Sequence, residues 1–188
     1  MTTPLRILGV SGSLRAKSYN TALLHAAIEL APPDMVITEY VGIGDLPLYN
    51  PDIDTTGGPP QAVAWRTAVR AADGLLIASP EYNFGPTAAL KNAIDWASRP
   101  PADSCLHRKP IGLMGASTGT SGTTRAQLAL RQSFVFTQSY VLPGPEVLVG
   151  AAAARFDADL RLTDATTRGI VQRLLVRLAE YTRRLSVA

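Results

Sequence analysis

Cysteine is almost absent from this chain: Cys105 is the one thiol in 188 residues. A lone cysteine excludes an intrachain disulfide and suits a reducing compartment, so a cytoplasmic location is expected. Histidine is nearly as scarce, with only His25 and His107 present. Cys105, His107 and a distant His25 do not assemble into a zinc-ligand set, so no metal site is expected. A Cys–His nucleophile pair also fails, because His107 lies in a proline-bounded loop with no orienting partner nearby in sequence. No apolar run approaches the roughly 20 residues of a membrane span. Residues 1–10 pass straight into a strand-like run, without the basic region and cleavage site of a signal peptide. The chain also lacks a dense run of like charge. Its net charge is +3, with the arginines scattered, and a nucleic-acid partner is not expected.

What is present is the balance of one globular domain over residues 1–188, with 46% apolar and 18% charged residues. Short apolar runs at Leu5–Val10, Met35–Tyr40, Gly74–Ser79, Lys109–Ser117 and Pro145–Gly150 read as strands. Between and after them come helical patterns that begin at Asn20, Gln61, Ala88, Thr123 and Asp164. Pro32 and Pro33 stop the first helix, having no amide hydrogen to continue it. Ala62, Trp65, Ala68, Val69 and Ala72 form the inner stripe of the second. Asp164 is placed to cap the last, whose inner face carries Ile170, Leu174, Leu178 and Tyr181. Gly42–Pro60, rich in Pro, Gly, Asp and Thr, reads as the least ordered stretch. The alternation predicts an α/β fold: a doubly wound, five-stranded parallel sheet with helices on both faces. Ligands of such sheets lie beyond the carboxyl ends of the strands, which directs attention to three loops.

The first loop is "GVSGSLRAKSYN", Gly9–Asn20. It lacks both the G-x-G-x-x-G dinucleotide fingerprint, despite an acidic Glu39 further on, and the Walker phosphate loop. It does offer the hydroxyls of Ser11, Ser13 and Ser18, the side chains of Arg15 and Asn20, and the free amides of a helix start. That donor set suits a phosphate monoester. A capped helix start, with Ser18 or Asn20 bonding its own backbone, is the simpler reading of any one of them. The second loop, "SPEYNFGPTAALKNAIDW" (Ser79–Trp96), leaves the sheet at Pro80 and sets Tyr82, Asn83 and Phe84 where a flat ring could meet them. Packing of these aromatics on the surface would account for them equally. The third, "GASTGTSGTT" (Gly115–Thr124), is small and hydroxylated, so a planar ligand could lie close to its backbone.

Taken together, "GSLRAKSYN", "SPEYN" with "LKNAIDWASRP", and "GASTGTSGTTRAQLALRQ" resemble the NADPH-dependent FMN reductase family, a flavodoxin-like group that includes quinone, chromate and azo-dye reductases. The likeness runs from the first strand to about Gln132, roughly two-thirds of the chain. It implies a flavodoxin-like sheet of order 2-1-3-4-5 and non-covalent FMN. It implies that Ser13, Leu14, Arg15, Ser18 and Asn20 hold the FMN phosphate, with Ser11 nearby. It further implies that Pro80, Glu81, Tyr82, Asn83 and Phe84 line the isoalloxazine and that Ser117 touches the ring. Hydride would pass from NADPH or NADH through FMN to a quinone, free flavin, azo dye or metal oxyanion such as chromate. No side chain would serve as catalytic acid, base or nucleophile. Family members are dimers or tetramers, which places the helix of Leu90–Trp96 at an interface with a second copy. Arg15, Lys17, Arg99 and Arg108 are candidates for the nicotinamide nucleotide's phosphates, Arg99 and Arg108 being first of all surface residues. The chain departs from the family after Asn83, where Gly85-Pro86-Thr87-Ala88 brings proline one place early, so Gly85 and Thr87 are given no flavin contact. Two rival readings remain at this stage: a flavodoxin-type electron carrier and a flavin-free sensing or scaffold module.

Overall fold

A computed structural model describes residues 3–56 and 58–186. The first strand, β1 (Leu5–Ser11), pairs in parallel with β2 (Met35–Tyr40) on one side and β3 (Gly74–Ala78) on the other. Next come β4 (Pro110–Ala116) and the short strand β5 (Tyr140–Val141), giving the order β2-β1-β3-β4-β5. A second short strand, β6 (Val147–Val149), also pairs with β4. The fifth strand expected at Pro145–Gly150 is β6, and the two-residue β5 that precedes it was not expected. Pro143 and Pro145 offer no N–H to a ladder, so pairing stops after Val141 and resumes at Val147.

Helices α1 (Tyr19–Glu29) and α5 (Ala165–Ser186) pack on one face, and α2 (Pro60–Ala71) and α3 (Ala88–Ala97) on the other. The alternation of β3 shows why two cores form. Leu76 and Ala78 pack with Leu23, Leu24 and Leu174, whereas Leu75 and Ile77 pack with Trp65, Leu90 and Trp96. The second core is extended by Leu130 and Phe134 of α4 (Thr124–Phe136). Asp164 caps α5 as the sequence suggests, its carboxylate accepting from the Thr167 N–H at 2.8 Å and the Thr167 hydroxyl at 2.6 Å. Among the described residues, no helix is long and apolar enough to cross a membrane.

The stretch after β2, read as the least ordered and including Gly57 outside the described residues, is mainly loop but is held at several points. It opens with a 3-10 turn at Gly42–Asp45. Asn92 of α3 then accepts from the Tyr49 N–H at 2.8 Å and donates to the Pro47 carbonyl at 2.9 Å. Trp96 donates from Nε1 to the same carbonyl at 2.7 Å. Arg66 of α2 forks onto Asp54 at 2.9 and 2.7 Å, with both side chains largely covered. These anchors come from helices remote in sequence, so local composition could not reveal them.

Candidate functional site

Register brings the three loops together. Ser11 of β1 lies opposite Ala78 of β3, and the Gly12 N–H continues the ladder to the Ala78 carbonyl at 2.8 Å. The β1–α1 loop and the loop after β3 therefore leave the sheet side by side. The loop after β4 joins them through Asn20, whose amide donates to the Ala116 carbonyl and accepts from the Ala116 N–H, both at 2.9 Å. Gly115 permits this convergence, because a Cβ there would collide with the Thr123 hydroxyl and the Ser79 carbonyl.

The three loops enclose a cavity of about 150 Å³. Three serine hydroxyls on its wall share one pattern. Ser18 Oγ accepts from the N–H groups of Asn20 and Thr21, capping α1. Ser13 Oγ accepts from the Arg15 N–H, and Ser117 Oγ from the Gly119 N–H. With backbone donors on the acceptor side, each hydroxyl keeps its own O–H to donate. The N–H groups of Leu14, Ala16, Lys17 and Tyr19 find no acceptor among the described residues. Arg15, also on the wall, forms no ion pair among them. Hydroxyls, open amides, a helix N-terminus and a guanidinium are the groups that could hold an anion.

The loop after β3 is stiffened from behind. The Glu81 carboxylate accepts from the N–H groups of Arg125 at 2.9 Å and Ala126 at 3.2 Å, so it caps the start of α4, and the Arg125 guanidinium also binds it. Burial opposes ionisation of Glu81, but these donors outweigh it and hold the carboxyl below the usual carboxylate range. Tyr82 and Gly85 exchange two backbone hydrogen bonds of 3.0 Å across a two-residue turn. Both central residues are left-handed, Asn83 at φ 50° and Phe84 at φ 66°, the pattern of a type I′ hairpin turn. A phenylalanine at positive φ costs about 1–2 kcal/mol. Here the cross-turn bonds hold it, and the Arg125 guanidinium covers its ring at 3.9 Å.

Of the residues selected from sequence, Ser13, Arg15, Ser18, Asn20, Pro80, Glu81, Tyr82 and Ser117 meet at this cavity. Asn20 does so as a clamp between loops. Ser11 and Leu14 line a different cavity on the other side of the β1–α1 loop. Asn83 faces a broad cleft of about 710 Å³ shared with Pro86, Lys91 and Gln132, while Phe84 lies outside with Arg125. Sequence reasoning missed Tyr19, Ala116 and Thr118 on the wall. Tyr19 was within reach, as the residue directly after the helix cap. Among the described residues, no cluster of three or more His, Cys, Asp or Glu side chains could hold a metal.

A family model described as NADPH-dependent FMN reductase matches residues 5–154. The chain belongs to this family. The match extends past Gln132 to take in β6, so all three site loops fall within it. Among relatives of this FMN reductase chain, an NAD(P)H-dependent FMN reductase of Pseudomonas aeruginosa is 48% identical over 185 residues, covering 98% of this chain and 99% of its own. An NADPH:quinone oxidoreductase of Arabidopsis thaliana is 41% identical, covering 96% of this chain and 93% of its own. Among solved structures, the flavoenzyme NAD(P)H:(acceptor) oxidoreductase FerB of Paracoccus denitrificans superposes with a TM-score of 0.87. It is 28% identical and covers 96% of this chain and 98% of its own. The flavodoxin-like architecture expected from sequence is thus the one observed.

Proposed function

We propose that this protein is an FMN-dependent NAD(P)H oxidoreductase that passes electrons to quinones. The observation that carries the reading is the cradle itself: the hydroxyls of Ser13, Ser18 and Ser117, each accepting from a backbone N–H and so keeping its O–H to give, line one cavity with Arg15, which has no ion-pair partner among the described residues, beyond the carboxyl ends of parallel strands. The residues fit FMN. Ser13, Arg15, Ser18 and the open loop amides would hold its phosphate. The cavity is smaller than the roughly 300 Å³ at which drug-sized ligands are usually enclosed, so it suits one end of the cofactor. Pro80, Tyr82 and Ser117 on the rim are left for its ring. When bound, FMN supplies the hydride chemistry. The chain's part is to bind and orient: Ser13, Ser18 and the loop amides would donate to the phosphate, Arg15 would supply its counter-charge, and Glu81 fixes the ring-side loop through α4.

Two companion proposals follow. The reducing cytoplasm suits Cys105, which is buried. A second copy is proposed to cover α4, where Leu128, Val135 and Phe136 are exposed at helical spacing, rather than the helix of Leu90–Trp96, whose Leu90, Ile94 and Trp96 are buried in the fold's own core.

The test is to purify the protein, record its visible spectrum, and add NADH or NADPH, with and without a quinone. A yellow protein bleached by a nicotinamide nucleotide and recoloured by quinone is expected. A yellow protein that neither nucleotide bleaches would favour the electron carrier. A protein that takes up no FMN would overturn the reading. Free flavin, azo dyes and chromate can be tried as acceptors in the same assay.

A further inference from the structure

Away from the β1–α1 loop, the first cavity has two walls. Pro80, Glu81 and Tyr82 come from the loop after β3, and Ala116, Ser117 and Thr118 from the end of β4 and the loop after it. One side chain outside the cavity reaches both loops. Arg125, in the first turn of α4, donates from Nε to Glu81 Oε1 at 2.5 Å and from Nη2 to Ser121 Oγ at 3.3 Å. Its guanidinium also lies 3.9 Å from the centre of the Phe84 ring. The Glu81 side chain is 5% exposed, so Arg125 is the counter-charge of a carboxylate with little access to water. Phe84 has no such cover: it is 69% exposed and sits at φ 66°, a conformation that glycine adopts without steric cost. An aromatic held there on the surface gains little for folding, and backbone outliers of this kind gather at functional sites.

Resting on the oxidoreductase reading above, we propose that Arg125 is a positioning residue for the flavin ring: by clamping Glu81, Phe84 and Ser121 at once, it sets Tyr82 on the cavity rim. Tyr82 stands between two of the clamped points. The fork on Glu81 fixes the residue before it, and the guanidinium over Phe84 fixes the turn after it. That turn is closed by the backbone bonds that Tyr82 itself exchanges with Gly85. The bond to Ser121 then ties this assembly to the loop that carries Ser117. Among the described residues, the side-chain hydrogen bonds of Arg125 go to Glu81 and Ser121 and to none of the cradle donors Ser13, Arg15 and Ser18. The clamp therefore governs the ring end and leaves the phosphate end alone.

The test titrates flavin-free wild type and Arg125→Gln, each as the full chain, with FMN and with riboflavin, and follows amide hydrogen exchange in both proteins without flavin. Loss of the clamp should weaken both flavins about tenfold and leave their ratio, which reports the phosphate, unchanged. Exchange should quicken in segments 82–85 and 119–123 and stay as it was at the start of α1. Adding Phe84→Gly to Arg125→Gln should recover part of the lost affinity, because glycine keeps the turn without a guanidinium over it; a merely structural arginine would show no such rescue. Unchanged flavin affinities, a loss confined to FMN, exchange that quickens throughout the chain, or no recovery with Phe84→Gly would each overturn the proposal. If the wild type binds neither flavin, yet exchange in the two segments quickens in Arg125→Gln, the clamp stands and the flavin reading falls.

Discussion

Individual residues in this site carry more than one duty, and Glu81 is the clearest case. Its carboxylate closes the N-terminus of α4 while its backbone begins the turn that bears Tyr82 and Asn83. Because the folded chain holds this carboxyl below its ordinary value, folding is stabilised fully above the unfolded pKa of about 4.3. That stabilisation is lost as pH falls through the lower folded value. Glu81→Gln should therefore lower the melting temperature near neutral pH, and the gap to wild type should narrow as the pH is taken toward 3. Thermal melts across that range check it; a gap independent of pH would contradict the assignment. The same residue shows the limit of sequence reading. "SPEYN" marked Glu81 as special, but its partners lie on a helix more than forty positions later, and only the fold brings them to it.

At the scale of elements, the regular ones were legible and the exceptions have physical causes. Apolar runs and helical stripes located β1 to β4 and all five helices, because local burial patterns determine them. The strand expected at Pro145–Gly150 is β6, whereas the two-residue β5 was missed because a run as short as Tyr140–Val141 carries no periodic signal and is cut off by Pro143. The stretch after β2 has no regular element beyond its opening turn, and its anchors on Asn92 and Trp96 of α3 were beyond the reach of local composition. Asn92→Ala should strand the Tyr49 N–H and remove one of the Pro47 carbonyl's two donors. A loss of about 2 kcal/mol in urea unfolding is expected, together with faster proteolysis in the segment from Pro47 to Asp54. Unchanged stability and cleavage would show that Trp96 and Arg66 suffice to hold it.

For the whole molecule, the site is the product of topology. β1 lies between β2 and β3, so its loop faces neighbours on both sides, with one cavity toward β4 and another toward β2. Sequence identified the donors of the first cavity but assigned Ser11 and Leu14 to it as well, because the two faces of one loop cannot be told apart without the sheet. The exposed stripe on α4 predicts that Leu128→Glu converts the protein to monomers in sedimentation velocity, with the wild type sedimenting as a dimer or larger; a wild type that is already monomeric would refute it. The central claim is that the β1–α1 loop is a phosphate cradle for FMN. It is tested most directly by titrating flavin-free protein with FMN and with riboflavin, which differ only in the phosphate. FMN should bind about 100-fold more tightly, and Ser13→Ala with Arg15→Ala should remove most of that preference. Equal affinity for the two flavins would contradict the account.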